Sequence, residues 1–189
     1  MGMGSFNVSG LEELQKQLEK RQKEADAFVE SCAKELAARL LRMVVKRTPV
    51  GDYSHEEEVT AKRDSKNHKK GDVYKKRVNK SGKMGGTLRR GWISETHEEA
   101  KKGKGVPQVK EILEYVDGIQ VMHSGGMLRI EIVNPVWYAP YIEYGHRTAD
   151  HKKWVKGRFM MTISEQELQT IAPRILEKRM KDFLGGAMK

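Results

Sequence analysis

At 189 residues, with 38% hydrophobic and 33% charged side chains, the chain can bury one sizeable core and is short for two domains. A formal net charge of +10 and a pI near 9.6 point to acidic partners, whether nucleic acid, a membrane surface or a protein, and say nothing about fold. Cys32 is the single cysteine, which rules out an intrachain disulfide, and its apolar helical neighbours mark a small buried side chain, so a reducing, intracellular setting is expected.

Residues 1–8 read as an N-terminal tail. The stretch Met1-Gly2-Met3-Gly4-Ser5-Phe6 has neither the basic nor the apolar region of a signal peptide, and Phe6 breaks the myristoylation pattern. Ser9 and Glu12 have the spacing of a capping box, and Leu11, Leu14, Leu18, Ala25, Phe28, Cys32, Leu36, Leu40 and Met43 recur mostly at three- and four-residue steps. One long amphipathic helix is predicted over residues 9–48. Unbroken from residue 10 to 46, it would extend about 55 Å at 1.5 Å per residue, more than a compact domain needs, so part of it should touch something else. Its first half is charged around a thin leucine stripe, whereas residues 28–45 are apolar enough to cover a sheet. Thr48-Pro49 ends it, because proline removes a donor and pushes the residue before it out of helical space.

Residues 51–86 contain few large apolar side chains and glycines at both ends, and they are predicted to form a basic arm or loop. Between residues 62 and 83 there are ten lysines and arginines against Asp64 and Asp72, so most of the net charge sits in this segment. Residues 87–145 are predicted as a sheet region. Residues 88–96 read as a strand, with Leu88, Arg90 and Trp92 on one face. Residues 101–105 make a flexible turn, and residues 109–116 mix helical spacing with strand formers, leaving their state open. Ile119 and Val121, the turn Ser124-Gly125-Gly126 and the alternation Leu128, Ile130, Ile132 predict a hairpin with one buried face, closed by Asn134-Pro135. Residues 138–144 are aromatic, forming a short helix or strand before a polar, basic loop. Thr162 and Glu165 form a second candidate capping box, opening a C-terminal helical region over residues 157–184 that is kinked near Pro173 and stopped by Gly185-Gly186. The expected fold is α+β and a single domain: a long N-terminal amphipathic helix packed on a small antiparallel sheet, with a C-terminal helix and the basic arm between the first helix and the sheet.

His146 and His151 stand near Glu143 and Asp150, but no second carboxylate cluster has the spacing to hold a catalytic ion. Nucleophile elbow, phosphate loop and dinucleotide fingerprint are all missing from the sequence. No catalytic residue, metal ligand, cofactor, small-molecule substrate or membrane span is assigned. Trp137, Tyr138, Tyr141 and Tyr144 beside so much lysine invite a base-stacking reading, against which stands their ordinary use as core and subunit-contact aromatics. Candidate interface residues are Arg89, Arg90, Tyr138, Tyr141, Glu143, Tyr144, His146 and Arg147, with Lys69, Lys70, Lys75, Lys76 and Arg77 on the arm. The arginine forks suit carboxylates on a neighbour.

Three separated signatures carry a resemblance: Thr48-Pro49-Val50, Gly86-Thr87-Leu88-Arg89 and Tyr138-Ala139-Pro140-Tyr141-Ile142-Glu143-Tyr144-Gly145. In this order they resemble the phage neck and tail-completion proteins typified by gene product ten of the lambdoid phage HK-ninety-seven. Members of that family commonly keep the Thr-Pro-Val turn close to the Leu-Arg segment, whereas here the basic arm lies between them. The resemblance implies a structural virion protein, not an enzyme. Its subunits would form a ring, of six, at the head–tail junction, assembled in the host cytoplasm. The implied partners are other copies, connector or stopper proteins, and tail terminator or tail tube proteins, with nonspecific contact to passing DNA. The alternatives are a tail terminator capping the tube and, in another class, a basic nucleic-acid-binding protein.

Overall fold

A computed structural model describes residues 9–82, 85–103 and 105–187, and its architecture is α+β. The chain runs through α1 (Ser9–Arg47), β1 (His55–Thr60), β2 (Val73–Val78), α2 (Thr87–Gly91), α3 (His97–Lys102), α4 (Val109–Gly118), β3 (Met122–Ser124), β4 (Met127–Arg129), α5 (Ala139–Tyr144), β5 (Gly145–Arg147), β6 (Trp154–Lys156) and α6 (Met160–Ala187). The strands pair as β1–β2, β3–β4 and β5–β6, all antiparallel, so the expected single sheet is three separate ribbons. Residues cluster into two compact units, one holding the chain up to Val44, Val109–Ile132 and the chain from Met160, the other Val45–Gln108 and Val133–Phe159. The predicted tail over residues 1–8 and the side chains of the Ser9–Glu12 box lie outside the described residues.

In the first unit, α1 and α6 are joined by side chains whose order reverses between them, as antiparallel neighbours require. Phe28 stacks on Phe183 with ring centroids 4.2 Å apart. Two turns further along α1, Glu35 accepts from the Arg179 guanidinium at 2.6 Å, and between them Ser31 Oγ accepts from the same side chain at 2.6 Å. The cation also lies 5.8 Å over the Phe28 ring, adding an attraction to the ring face. Cys32 is buried, as its spacing implied. Residues 109–118, left open by the sequence, form a helix in which Ile112 and Val116 are buried four residues apart, and Lys34 Nζ donates to the Asp117 carbonyl at 3.1 Å.

The β3–β4 hairpin has the expected turn: Gly125 and Gly126 both adopt positive φ, 57° and 77°, which a tight two-residue connection demands. Ile119, Val121, Leu128, Ile130 and Ile132 keep their alternation but are only half buried, and the strands are three residues each. α6 begins at Met160, two residues before the predicted Thr162 cap. Phe159, at φ 50°, turns the chain just ahead of it, so Thr162 lies inside the first turn. Pro173 sits within the helix, which continues through Gly185-Gly186 to Ala187.

Charge on Glu35 favours folding. Its carboxyl is held below its ordinary value of 4.5 first by the Arg39 hydrogen bond and then, against an opposing effect of burial, by Arg179. A folded-state pKa below the unfolded one gives a stabilisation that is full above about pH 4.5 and is lost as the pH falls through and below that value. Glu35→Gln is therefore expected to lower stability at pH 7 and to flatten the acid limb of a stability–pH curve measured by urea unfolding.

In the second unit the Thr48-Pro49 stop works as expected, because α1 ends at Arg47. Thr48 is fully buried. Its carbonyl accepts from Arg89 Nε, and its hydroxyl accepts from the Trp92 indole N–H at 2.7 Å. Both donors lie in or beside α2, where a strand over residues 88–96 was predicted. Leu88 and Trp92 are four apart, a spacing that puts them on one side of a strand and of a helix turn alike. Gly86, at φ 97°, lets the chain enter the helical turn. The second turn is α3, which starts at a capping box: the Thr96 hydroxyl accepts from Glu99 N–H, and the Glu99 carboxylate accepts from the Thr96 N–H.

The predicted basic arm is a β-hairpin. Its register is Glu56↔Arg77, Glu57↔Lys76, Glu58↔Lys75, Val59↔Tyr74 and Thr60↔Val73. Beyond it, Gly71 and Asp72 face the single residue Ala61 through Gly71 N–H to Ala61 O at 2.9 Å and Ala61 N–H to Asp72 O at 2.8 Å. Gly71 takes φ 96°, the conformation this two-against-one bulge requires. The His68 ring closes over one face, 3.9 Å from Tyr74.

Candidate subunit-contact surface

The second unit presents two surfaces, an aromatic ridge and the charged hairpin. The ridge is built by α5, β5 and β6. Pro140 sits at the start of α5, where its missing N–H costs nothing. The C-terminal end of α5 is sealed by backbone: Ile142 O accepts from Arg158 N–H at 2.7 Å, and Glu143 O from Phe159 N–H at 3.0 Å. On this base Trp137, Tyr138, Tyr141 and His146 form a chain of edge-to-face rings, with centroids 5.3 Å apart for Trp137–Tyr138, 6.4 Å for Trp137–Tyr141 and 5.9 Å for Tyr141–His146. Trp137 is 71% exposed, Tyr144 64% and Trp154 62%. Tyr53, Leu88, Tyr141, Ile142, His146 and Arg158 are among the residues lining an open cavity of about 370 Å³ in the same unit. Contiguous exposed aromatic surface of this kind marks an interaction site more often than a bare monomer surface.

The candidate residues separate by burial. Tyr141, Tyr144, His146 and Arg147 belong to the exposed ridge or its edge, and Tyr138 lies half buried beneath it. Burial, and then the neighbouring Tyr53, push the Tyr138 phenol above its ordinary pKa of 10.0, with Arg90 pulling the other way. Glu143 and Arg90 are buried within the chain, and the Arg90 guanidinium is engaged by internal acceptors. Arg90 donates to the carbonyls of Ala100 at 2.6 Å and Gly105 at 2.9 Å, with longer bonds to Gly85 O and Thr87 Oγ1. Desolvation draws its pKa below the ordinary guanidinium range. Arg89 is likewise turned inward to the Thr48 carbonyl.

Sequence reasoning missed Trp154 and Val155 as ridge residues and Tyr53 as a cavity wall. The available signal was Lys152-Lys153-Trp154-Val155-Lys156, two apolar side chains inside a basic run. His151 and Asp150 belong to the loop joining β5 to β6: His151 N–H donates to Thr148 O at 2.8 Å, and the Thr148 hydroxyl donates to the Asp150 carboxylate. Among the described residues no three histidine, cysteine or acidic side chains gather as a metal site, and no helix is long and apolar enough to cross a membrane.

Lys69, Lys70, Lys75, Lys76 and Arg77 are exposed on the hairpin. Their charge is not the isolated block that residues 62–83 suggested, because Glu56, Glu57 and Glu58 on β1 face Arg77, Lys76 and Lys75. Arg77 also pairs with Asp52 at 2.5 Å and Lys80 with Glu57 at 2.6 Å.

This unit of short helices and ribbons thus exposes an aromatic ridge and a charged hairpin. The chain matches the model of one family over residues 12–145, a family described as "Bacteriophage HK97-gp10, putative tail-component", and it belongs to that family. Neither the curated proteins nor the solved structures give a significant match.

Proposed function

We propose that the protein is a ring-forming subunit of six copies at the head–tail junction of a tailed phage, a neck or tail-completion part between the portal-side connector and the tail. The family match over residues 12–145 carries this reading. The exposed Trp137–Tyr141–His146 ridge supports it, since a ring subunit must hold apolar surface in reserve for its neighbours. Connector or stopper proteins on one side and terminator or tube proteins on the other are the partners. A tail terminator is the nearest alternative, and the two roles differ in whether the protein touches the last tube ring. Specific nucleic-acid recognition is disfavoured by the hairpin, whose cations face carboxylates; any DNA contact should be sequence-independent and should weaken steeply as salt rises.

The test is a phage lacking the protein, complemented by a tagged wild-type copy. Electron microscopy is expected to find unjoined heads and tails without the protein and the tag at the junction with it. Overlong tubes would transfer the assignment to the terminator, and normal joined particles without the protein would end the proposal.

A further inference from the structure

The β1–β2 ribbon has two open edges of opposite charge, and we infer that they pair between copies: β1 of one subunit adds antiparallel to β2 of the next. This inference rests on the ring reading above and names one contact of that ring.

Among the described residues each strand is paired on one side only. Antiparallel alternation, counted from the Ala61 N–H to Asp72 O bond, turns the backbone groups of Glu56, Glu58 and Thr60 outward on β1 and those of Val73, Lys75 and Arg77 outward on β2. All six residues are exposed, and neither strand contains proline or glycine, the residues that would spoil a further ladder. The groups needed for strand addition are therefore available on both sides.

Charge on a sheet edge ordinarily keeps copies apart, because the same edge meets itself with the same sign. Here one edge carries Glu56, Glu57 and Glu58 and the other Lys75, Lys76 and Arg77. Like edges repel and unlike edges attract, which selects a head-to-tail contact, the kind that closes rings. Using the hairpin's own register between copies would place each of these cations between two carboxylates. Within one chain the match is incomplete: among the described residues Glu56, Glu58, Lys75 and Lys76 make no ion pair.

The experiment mixes two full-length variants, Glu58→Cys and Lys75→Cys, under mild oxidation, with sedimentation of the wild type alongside. Buried Cys32 should leave the wild type unlinked. A disulfide-linked dimer several-fold more abundant in the mixture than in either variant alone is the expected result. Glu58→Pro, which removes one outward N–H, should abolish the oligomer while leaving the circular dichroism of the monomer intact. A wild type that sediments as an oligomer while the mixed cysteines stay unlinked overturns edge pairing and leaves the ring standing. A wild type that stays monomeric at every concentration, with no cross-link, overturns both.

Discussion

Arg90→Met is expected to lower the unfolding free energy by about 3 kcal/mol, through buried carbonyls left without a donor. The Arg90 fork supplies Ala100 O and Gly105 O at 2.6 and 2.9 Å, and it does so in a buried position where, among the described residues, its hydrogen bonds go to carbonyls and one hydroxyl. The charge is held by peptide dipoles, so methionine restores the volume and none of the bonding. Arg90→Lys should recover only part of the loss, because one ammonium cannot reproduce a planar fork that reaches both carbonyls. For a chain of this size the methionine variant should melt about 6–12 °C lower, readable by scanning calorimetry. A change under about 0.5 kcal/mol would mean that water replaces the guanidinium at no cost, and that Arg90 was free to serve a partner after all.

The two long helices were legible because their signals are local and repeated: three- and four-residue apolar steps, a Thr-Pro stop, a proline-tolerant C-terminal run. The Gly125-Gly126 hairpin was legible for the same reason. α2 was not, because Leu88 and Trp92 satisfy both periods over five residues. What decides the case is the Thr48 hydroxyl waiting 2.7 Å from the Trp92 indole, a contact between residues far apart in the chain. The Thr96–Glu99 box, by contrast, could have been read directly, and it would have broken the proposed strand at residue 96.

The counter-charges of the arm lie outside its basic run. Glu56, Glu57 and Glu58 precede residue 62, and a six-residue strand sets them opposite Arg77, Lys76 and Lys75. A run of three acidic residues followed, across a turn-rich stretch, by three basic ones is a cross-strand pattern whose pairs stabilise a ribbon that has little apolar surface to bury. The ridge was half legible. Its tyrosines announced themselves, but which members of Arg89, Arg90, Glu143 and Tyr144 face outward depends on α5 and α2 being helices, and only the structure supplied that.

Gly145→Ala is the second large effect expected, roughly 3–5 kcal/mol of lost stability, combining a backbone region open almost only to glycine with a steric collision. Gly145 adopts φ 90° and ψ 173°. A Cβ there would stand 2.4 Å from Val155 O, 2.8 Å from Gly157 N and 3.0 Å from Trp154 Nε1. Two of those atoms are backbone, which cannot rotate away. Gly157 is confined in the same place, since its own Cβ would meet Glu143 O at 2.3 Å and Tyr144 C at 2.6 Å. Two chain segments thus touch where only hydrogens fit, and that contact sets the β5–β6 ribbon against the end of α5. It gives the Gly at the end of the Tyr-Ala-Xaa-Xaa-Xaa-Glu-Xaa-Gly signature a physical reason: without it the ring chain Trp137–Tyr141–His146 loses its base. Tyr144→Ser, on a side chain 64% exposed, should by contrast leave the melting temperature within about 2 °C while impairing tail joining in complemented phage. If both variants lose assembly but only Gly145→Ala loses stability, the ridge acts through its surface. If Tyr144→Ser joins tails normally, Tyr144 contributes nothing to the contact, and the interface must be sought at Trp137 and Trp154 instead.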